Sequence, residues 1–332
     1  MKMKTKAKRS ITAFICIFAL LFSLPLSGCA NKSDDGKINV VCTLFPQYDW
    51  MRNIIGESES VELSLIIANG SDPHSYQPTA ADVLKISECD MIVYMGNESD
   101  VWVSEALERA NRPSILKVAL CSLEGMTLHN ISSHSHEHAE DSHEHHDHGH
   151  GTLDEHIWLS LGNAVRATEQ LAITLASLDP DNAELYTENA RKYIERLGEL
   201  DNRYKKAVEE SDAEHRFMLF ADRFPFVYLL SDYGIDYQAA FEGCTTDVDA
   251  DFDTVLTLIK EAERHGVKYV SVTESSDKAL ARTVVASAKH TEMEILTMNS
   301  MQAMSKKSID DGATYLSVME QNLSILKKAI GN

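Results

Sequence analysis

The chain has 332 residues, and its 51 Asp and Glu against 31 Lys and Arg give a formal net charge of −20 at pH 7. A surface of this charge repels phosphate backbones, which argues against a nucleic-acid partner. With 44% hydrophobic residues, the chain can form a sizeable core, and its length suits two domains of ordinary size or one large one.

Residues 1–28 have the pattern of a bacterial lipoprotein signal peptide. Basic residues precede an apolar run over 11–26, which is shorter than the roughly 20 residues of a comfortable transmembrane helix. The run ends in Leu26-Ser27-Gly28-Cys29, which resembles a lipobox, where the signal is cut before a cysteine that receives the lipid. Residues 29–37 then form a polar tether. We expect the mature protein to lie outside the cytoplasmic membrane of a bacterium, anchored by lipid on Cys29; the alternative is an uncleaved N-terminal anchor.

The remaining cysteines do not have the spacing of a disulfide scaffold. Cys42, Cys89 and Cys121 lie in or beside short apolar runs, which favours buried free thiols. The expected compartment permits a disulfide, also with Cys244, but the sequence does not select a pair.

Runs typical of β-strands alternate with segments typical of helices, which predicts parallel sheets with crossover helices. The predicted strands are 38–44, 61–67, 90–96 and 114–120 in the first half, and 216–221, 234–241, 267–272 and 293–298 in the second. The predicted helices are near 46–55, 79–88, 101–110, 224–232, 252–265, 276–289 and 308–330. The fold class is therefore α/β with two similar lobes, and we expect helix 308–330 to close the second lobe.

A long helix is predicted between the lobes. Asp179-Pro180 supplies a cap and a first-turn proline, and apolar residues then recur mostly three or four apart as far as Glu210. These apolar residues are Leu185, Tyr193, Leu197, Leu200, Tyr204 and Val208. About 30 residues make a rod of roughly 45 Å, long enough to fix the orientation of both lobes. Gly198 leaves open two shorter helices. The predicted domains are residues 38–178, the linking helix 179–210, and residues 211–332.

Residues 129–150 carry the strongest chemical signal, because nine histidines alternate there with five carboxylates. Neutral imidazoles bind borderline ions such as Zn(II), and carboxylates attract cations. The segment lacks apolar periodicity, so we expect a loop with several weak, exchangeable metal sites; a polar linker is the alternative. The expected loop ligands are His134, His136, His138, His143, His145, His146, His148 and His150.

Two further histidines lie in ordered contexts. His74 follows the predicted strand 61–67 and so lies at a carboxyl end, where open α/β sheets bind ligands. His156 directly follows the His-rich loop and precedes a helix. Either histidine alone is more typical of a polar surface. Together, beside a loop that collects metal ions, they are candidate ligands.

Six features occur in the order seen in one family: the lipobox, DPHSYQPTAAD (72–82), the His-rich loop, DEHIWLS (154–160), the long helix and FPFVYLLSDYG (224–234). Over essentially the whole mature chain, they resemble the solute-binding lipoproteins of zinc- and manganese-uptake ABC transporters, the high-affinity zinc-uptake proteins of the ZnuA and AdcA type. The resemblance implies a cluster A-I type fold, with two lobes on a rigid helix and one divalent ion in the cleft. It also implies delivery to a permease powered by a cytoplasmic ATPase. It places His74 and His156 at the first two ligand positions.

The other two ligand positions depart from the family pattern. The third, five residues before Tyr228, holds Arg223, and a guanidinium has no lone pair to donate. The fourth falls in TMNSM (297–301), where Asn299 is a weak oxygen donor. The resemblance therefore supplies two ligands and leaves the others open.

Two acidic residues could complete the site. Glu274, after the strand 267–272, could bind the ion directly or pair with Arg223 beside it. Asp222 is adjacent to the position of the missing ligand, although neighbouring side chains seldom point the same way. Water can fill an open position. If Arg223 lies near the ion, then Arg223→Gln should bind metal more tightly than the parent.

The leading interpretation is a monomeric binding protein, without catalytic activity, that captures Zn(II) and passes it to an ABC permease. Imidazole ligands favour Zn(II) over Mn(II), which is the alternative cargo. A secreted metallohydrolase is a second interpretation, although HExxH and GxSxG are absent from the sequence. A metal-storage or adhesin lipoprotein is a third. The absence of GxxxxGK[ST] argues against the ATPase subunit itself. Binding by neutral imidazoles should weaken below about pH 6.5.

Overall fold

The N-terminal lobe is built on a four-stranded parallel sheet with the order β2-β1-β3-β4. Its strands are β1 Ile38–Cys42, β2 Val61–Leu65, β3 Met91–Tyr94 and β4 Leu116–Ala119. The computed structural model describes residues 36–130, 153–241, 243, 250–288 and 292–331. Val40 is fully buried and pairs with Met91, as expected for a central strand that is covered on both faces.

The C-terminal lobe repeats this arrangement with the order β6-β5-β7-β8, again fully parallel. Its strands are β5 Phe217–Phe220, β6 Asp236–Ala239, β7 Tyr269–Thr273 and β8 Glu294–Met298. Each strand overlaps a range predicted from the sequence, so the α/β class with two similar lobes is confirmed. In each sheet the chain reverses its winding at the first strand, and such switch points open a crevice at the carboxyl ends.

The helices that the structure describes cover both faces of the two sheets. They are α1 Phe45–Ile55, α2 Ala80–Glu88, α3 Val101–Ala110, α4 Leu161–Leu178, α5 Ala183–Glu210, α6 Val227–Asp232, α7 Phe252–His265, α8 Ala279–Ser287, α9 Lys306–Asp310 and α10 Tyr315–Ala329. Local sequence sets their ends. The Asp251 carboxylate caps the start of α7, and Gly266, in the left-handed conformation, ends it.

Helix α5 is continuous over 28 residues, a length of about 42 Å. A 3-10 turn, Pro180–Asn182, precedes it. Gly198 does not interrupt the helix, so the alternative of two shorter helices is wrong. The predicted apolar stripe needs one correction, because Leu185 is 39% exposed and Tyr186 is buried in its place. The Tyr186 hydroxyl donates a hydrogen bond of 2.6 Å to Asp179.

Helix α10 packs on the second lobe, as the sequence suggested, and it also contacts the first lobe. The backbone N–H of Tyr315 donates to Asp49 of α1 at 2.8 Å. Its hydroxyl donates to the carbonyl of Trp158 at 2.6 Å. The Tyr204 hydroxyl of α5 donates to the carbonyl of Met319 at 2.6 Å. One hydrophobic cluster includes Trp158, Tyr204, Tyr315 and Met319 and so spans both lobes.

Several predicted features fall partly or wholly outside the described residues. The signal peptide, Cys29, Cys244 and the loop histidines from His134 to His150 are among them. Cys42 and Cys89 are buried free thiols, and Cys121 is a partly buried one. Within the described ranges, no helix combines the length and apolar character that a membrane span requires.

Candidate metal centre

The structure brings His74 and His156 together, with ring centroids 5.7 Å apart. His74 lies in a 3-10 turn, Pro73–Ser75, that follows β2. The Asp72 carboxylate starts this turn by accepting a hydrogen bond from the backbone N–H of His74 at 3.0 Å. His156 immediately precedes a second 3-10 turn, Ile157–Leu159, which leads into α4. Both imidazoles are therefore held by short local turns.

A buried carboxylate fixes the ring of His156. Its Nδ1 lies 2.8 Å from Oδ1 of Asp154, and these side chains are only 2% and 3% exposed. The same oxygen accepts the backbone N–H of His156 at 2.9 Å. An ionised carboxylate can only accept, so Nδ1 carries the proton and the lone pair of the neutral ring is on Nε2.

A second carboxylate fixes the ring of His74. Its Nδ1 lies 2.6 Å from Oε1 of Glu155. Ser99 donates to the same oxygen at 2.7 Å, and Asn97 donates to Oε2. Burial raises the pKa of Glu155, but the hydrogen bond from His74, the charges that His74 and His156 carry when protonated, and the hydrogen bond from Ser99 outweigh it and lower this pKa to about 2. Glu155 is therefore ionised at neutral pH, and the lone pair of His74 is also on Nε2.

The two Nε2 atoms converge on the side-chain amide of Gln302, in the loop after β8. The amide nitrogen lies 2.9 Å from Nε2 of His74 and 2.7 Å from Nε2 of His156. Each of its two hydrogens can be donated to one imidazole lone pair. Two ring lone pairs thus point at one position between the lobes. Imidazole-binding ions such as Zn(II) use this arrangement of donors.

Sequence reasoning missed Gln302. Across the described ranges, no group of three or more His, Cys, Asp and Glu side chains is placed to hold a metal ion. The Gln302 amide is the polar group that the structure places between the two imidazoles. The signal available in the sequence was its place on the loop after the last strand, three residues beyond the predicted Asn299.

Two of the other predicted residues, Glu274 and Asn299, form hydrogen bonds with residues of the loop after β8. Both oxygens of Glu274 accept hydrogen bonds from Ser300, one from its backbone N–H and one from its hydroxyl, each 2.8 Å long. Oδ1 of Asn299 accepts the backbone N–H of Met301 at 2.8 Å. These contacts shape the loop that carries Gln302.

Asp222 and Arg223 have separate partners. Oδ2 of Asp222 accepts the backbone N–H of Thr273 at 3.0 Å and its hydroxyl at 2.7 Å. Arg223 donates from Nη1 to Oδ2 of Asp72 at 2.6 Å, and both side chains are partly exposed. Because Asp72 starts the turn that carries His74, Arg223 connects the second lobe to that turn.

The described residues on either side of the His-rich loop lie beside this centre. Asn130 and Leu153 pair as an antiparallel bridge, and the carbonyl of His129 accepts the backbone N–H of Asp154 at 2.8 Å. The Tyr228 hydroxyl donates to the carbonyl of Asp154 at 2.6 Å and accepts the backbone N–H of His129 at 3.1 Å. The ends of the loop are thus attached next to the carboxylate that orients His156.

Two parallel-sheet lobes on one long helix, with an imidazole pair between them, define a two-lobed metal-binding solute-binding protein. The family model for the periplasmic zinc-uptake complex component A, ZnuA, matches residues 40–329, and the chain belongs to this family. The family comprises metal-binding solute-binding proteins of ABC transporters and not enzymes, which removes the metallohydrolase interpretation.

Named relatives agree with this assignment. The chain is 29% identical over 324 residues to zinc-binding protein AdcA of Streptococcus pyogenes, an alignment that covers 96% of this chain and 61% of that protein. The first curated relatives are therefore considerably longer than this chain. The high-affinity zinc uptake system protein ZnuA of Bacillus subtilis is 29% identical over 321 residues, with coverage of 95% and 96%.

A solved structure shows the same fold. The Zn(II)-bound ZnuA-like domain of Streptococcus pneumoniae AdcA superimposes with a TM-score of 0.71 at 26% identity, covering 90% of this chain and all of that one. The resemblance that the sequence motifs indicated is confirmed.

Proposed function

We propose that the chain captures Zn(II) outside the cytoplasmic membrane and delivers it to the permease of an ABC importer. The observation that carries the proposal is the convergence of two imidazole lone pairs, 2.9 and 2.7 Å from one amide nitrogen. Neutral imidazoles suit zinc, and relatives named for zinc binding and zinc uptake support the choice. Mn(II), which prefers oxygen donors, is the secondary cargo.

The two carboxylates that accept the Nδ1 hydrogens orient the imidazole rings and supply negative charge. Asp154 and Glu155 each accept an Nδ1 hydrogen, which fixes the ring and makes Nε2 more basic. Their two negative charges also offset the charge of a divalent ion that has neutral direct ligands. We assign His74 and His156 as zinc ligands, with water in an open position, and Glu274 and Arg223 as positioning residues.

The His-rich loop would act as a collector. Asn130 and Leu153, which flank it, pair beside Asp154, so the loop is joined to the described chain close to the imidazoles. A lipid on Cys29 and the following tether would keep the protein at the membrane, near its permease. The energy for import would come from the cytoplasmic ATPase of the same transporter.

The test is calorimetric titration with Zn(II) of a chain that lacks residues 131–150. In this variant Gly151 and Thr152 join Asn130 to Leu153, which already pair in the structure. We expect one tight equivalent of zinc, weaker binding of Mn(II), and loss of the zinc site in His74→Ala/His156→Ala. His215→Ala, which removes an exposed histidine of the second lobe, is the matched control and should bind normally. If the loop-deleted chain binds no zinc tightly, the metal-storage or adhesin interpretation replaces this proposal.

A further inference from the structure

The side chain of Gln302 occupies the position where the imidazole lone pairs meet, so an ion cannot bind there without changing it. We propose that Gln302 is a reversible zinc ligand, whose amide turns over when the ion binds, so that Oε1 replaces Nε2 between the imidazoles. This inference rests on the proposed function, since it concerns the same zinc site.

The two imidazoles are sufficient to determine the orientation of the Gln302 amide that is seen in the structure. Both Nδ1 hydrogens are donated to the carboxylates of Asp154 and Glu155, so both Nε2 atoms can only accept. The NH2 group of Gln302 has two hydrogens and can satisfy both rings at 2.7 and 2.9 Å. Its oxygen in the same place would face two lone pairs, which is unfavourable.

A cation between the same lone pairs reverses this preference. It repels the amide hydrogens and attracts the amide oxygen, and zinc accepts oxygen ligands alongside imidazole. With zinc–ligand bonds of about 2.1 Å, neighbouring ligand atoms of a tetrahedral site are about 3.4 Å apart. The amide nitrogen of Gln302 lies 2.9 and 2.7 Å from the two imidazole nitrogens. The amide group therefore has to move away by only roughly 0.6 Å to make room for the ion. A glutamine side chain on a loop can make this adjustment by rotation about its own bonds.

The contact between the amide oxygen and Ser300 favours the turned orientation. The Ser300 hydroxyl has one hydrogen, and it lies 2.8 Å from Oε1 of Glu274, which as a carboxylate can only accept. Oε1 of Gln302 lies 3.1 Å from the same hydroxyl. With the hydrogen given to Glu274, two oxygens face each other there. After the turn, Nε2 of Gln302 can donate to the lone pair of Ser300.

Two opposing sets of contacts thus act on one amide. His74 and His156 favour the NH2 group between them, whereas the Glu274–Ser300 pair favours the oxygen there. When a group has two orientations of similar free energy, a ligand shifts it toward the orientation with which that ligand interacts more favourably. The ion therefore selects the turned state, and its departure restores the hydrogen bonds to both imidazoles. A neutral third ligand of this kind also suits a protein that has to release its cargo.

The test compares Gln302→Leu with Gln302→Glu in the full chain, with Zn(II) affinity measured by competition. Leu removes the oxygen at similar bulk, whereas Glu keeps an oxygen but cannot donate to both rings. We expect zinc binding about 10-fold weaker or more in Gln302→Leu, comparable to losses on removing groups that support metal ligands. Gln302→Glu should bind at least as tightly as the parent. Thermal melting without metal checks that each variant folds.

Two spectroscopic readouts test the turn itself. One equivalent of Co(II) should give a visible spectrum that changes in Gln302→Leu, after subtraction of the spectrum of His74→Ala/His156→Ala, which reports the loop sites. The side-chain amide signal of Gln302, identified in nitrogen-15 spectra by its loss in Gln302→Glu, should shift with stoichiometric zinc.

Equal or tighter zinc binding in Gln302→Leu, with an unchanged cobalt spectrum, would overturn this inference and leave the zinc site itself standing. The amide would then only fill the position. If the parent and His74→Ala/His156→Ala bind metal identically, the proposed function fails together with it. The two failures are therefore distinguishable.

Discussion

The two lobes have the same strand order, and they build opposite halves of the metal centre at equivalent places. In the first lobe, Asn97 and Ser99, after β3, hold Glu155 in the segment that follows β4. In the second, Glu274, after β7, holds Ser300 in the loop that follows β8. In both, the loop after the third strand of the lobe orients the segment after the fourth. The shared scaffold thus carries different chemistry on each side.

The difference lies in charge and burial. The first lobe presents two imidazoles on ionised carboxylates, and the Asp154–His156 pair is almost fully buried, with side chains 3% and 2% exposed. The second lobe presents the neutral amide of Gln302, whose Oε1 lies 3.1 Å from the Ser300 hydroxyl. We infer that the first lobe supplies most of the zinc affinity, and that the second adjusts to the ion.

The largest loss of zinc affinity is expected from Asp154→Asn. Asparagine keeps an oxygen acceptor for His156 but removes the negative charge, so the ring is less basic and the ion is less well compensated. Loss of such a supporting group typically weakens metal binding by about 10- to 100-fold, and burial places this pair near the upper end. Zinc titration of the loop-deleted chain measures the change. An unaltered affinity would mean that the first lobe does not dominate.

The pH dependence tests whether imidazoles carry the site. Glu155, whose pKa is about 2, stays ionised between pH 5.5 and pH 7.5. Its stabilising effect on the fold is present above the ordinary value of 4.5 and is lost only as the pH falls toward 2. Proton competition at imidazoles, which ordinarily titrate near 6.5, should weaken zinc binding by about 10- to 100-fold between pH 7.5 and 5.5. The same affinity at both values would contradict an imidazole site.

A smaller effect is expected from Glu274→Gln, the second-lobe counterpart of the Asp154 change. The charge removed acts on the ion through Ser300 and Gln302 and not through a ligand ring. We expect zinc binding to weaken by about 10-fold at most, the lower end of the range for supporting groups. A loss as large as that in Asp154→Asn would show that Glu274 binds the ion directly, the alternative that the sequence left open.

The smallest change in zinc affinity is expected from Arg223→Gln, which should tighten zinc binding and not weaken it. The guanidinium is compensated by Asp72, so its repulsion of the ion is already reduced. Its removal leaves an uncompensated carboxylate near the site, which should tighten zinc binding by a few-fold, as expected for partly exposed charges. Arg223→Lys, which keeps the charge, is the control. Equal affinity in Arg223→Gln and the parent would remove the basis for this expectation.

Short apolar runs in the sequence predicted the strands. The His-rich loop and the family resemblance, with both histidines on turns, predicted the imidazole pair. Gln302 was not predictable in this way. Its role depends on contacts with His74 and His156, which are 228 and 146 residues away in the chain. The contacts of helix α10 with α1 and α5 were not predicted for a similar reason, since its apolar face does not reveal its partners. The role of Gln302 and the packing of α10 both depend on contacts between residues that are far apart in the chain.

The most direct test of the zinc site is X-ray absorption at the zinc edge on the loop-deleted chain with one equivalent of zinc. The imidazole pair predicts two imidazole nitrogens with the remaining donors oxygen, at about 2.0–2.2 Å. The spectrum of His74→Ala/His156→Ala should lose the imidazole signal. Three or more imidazoles, or any sulfur ligand, in the loop-deleted parent would contradict a centre built by His74 and His156 with an oxygen donor from the second lobe.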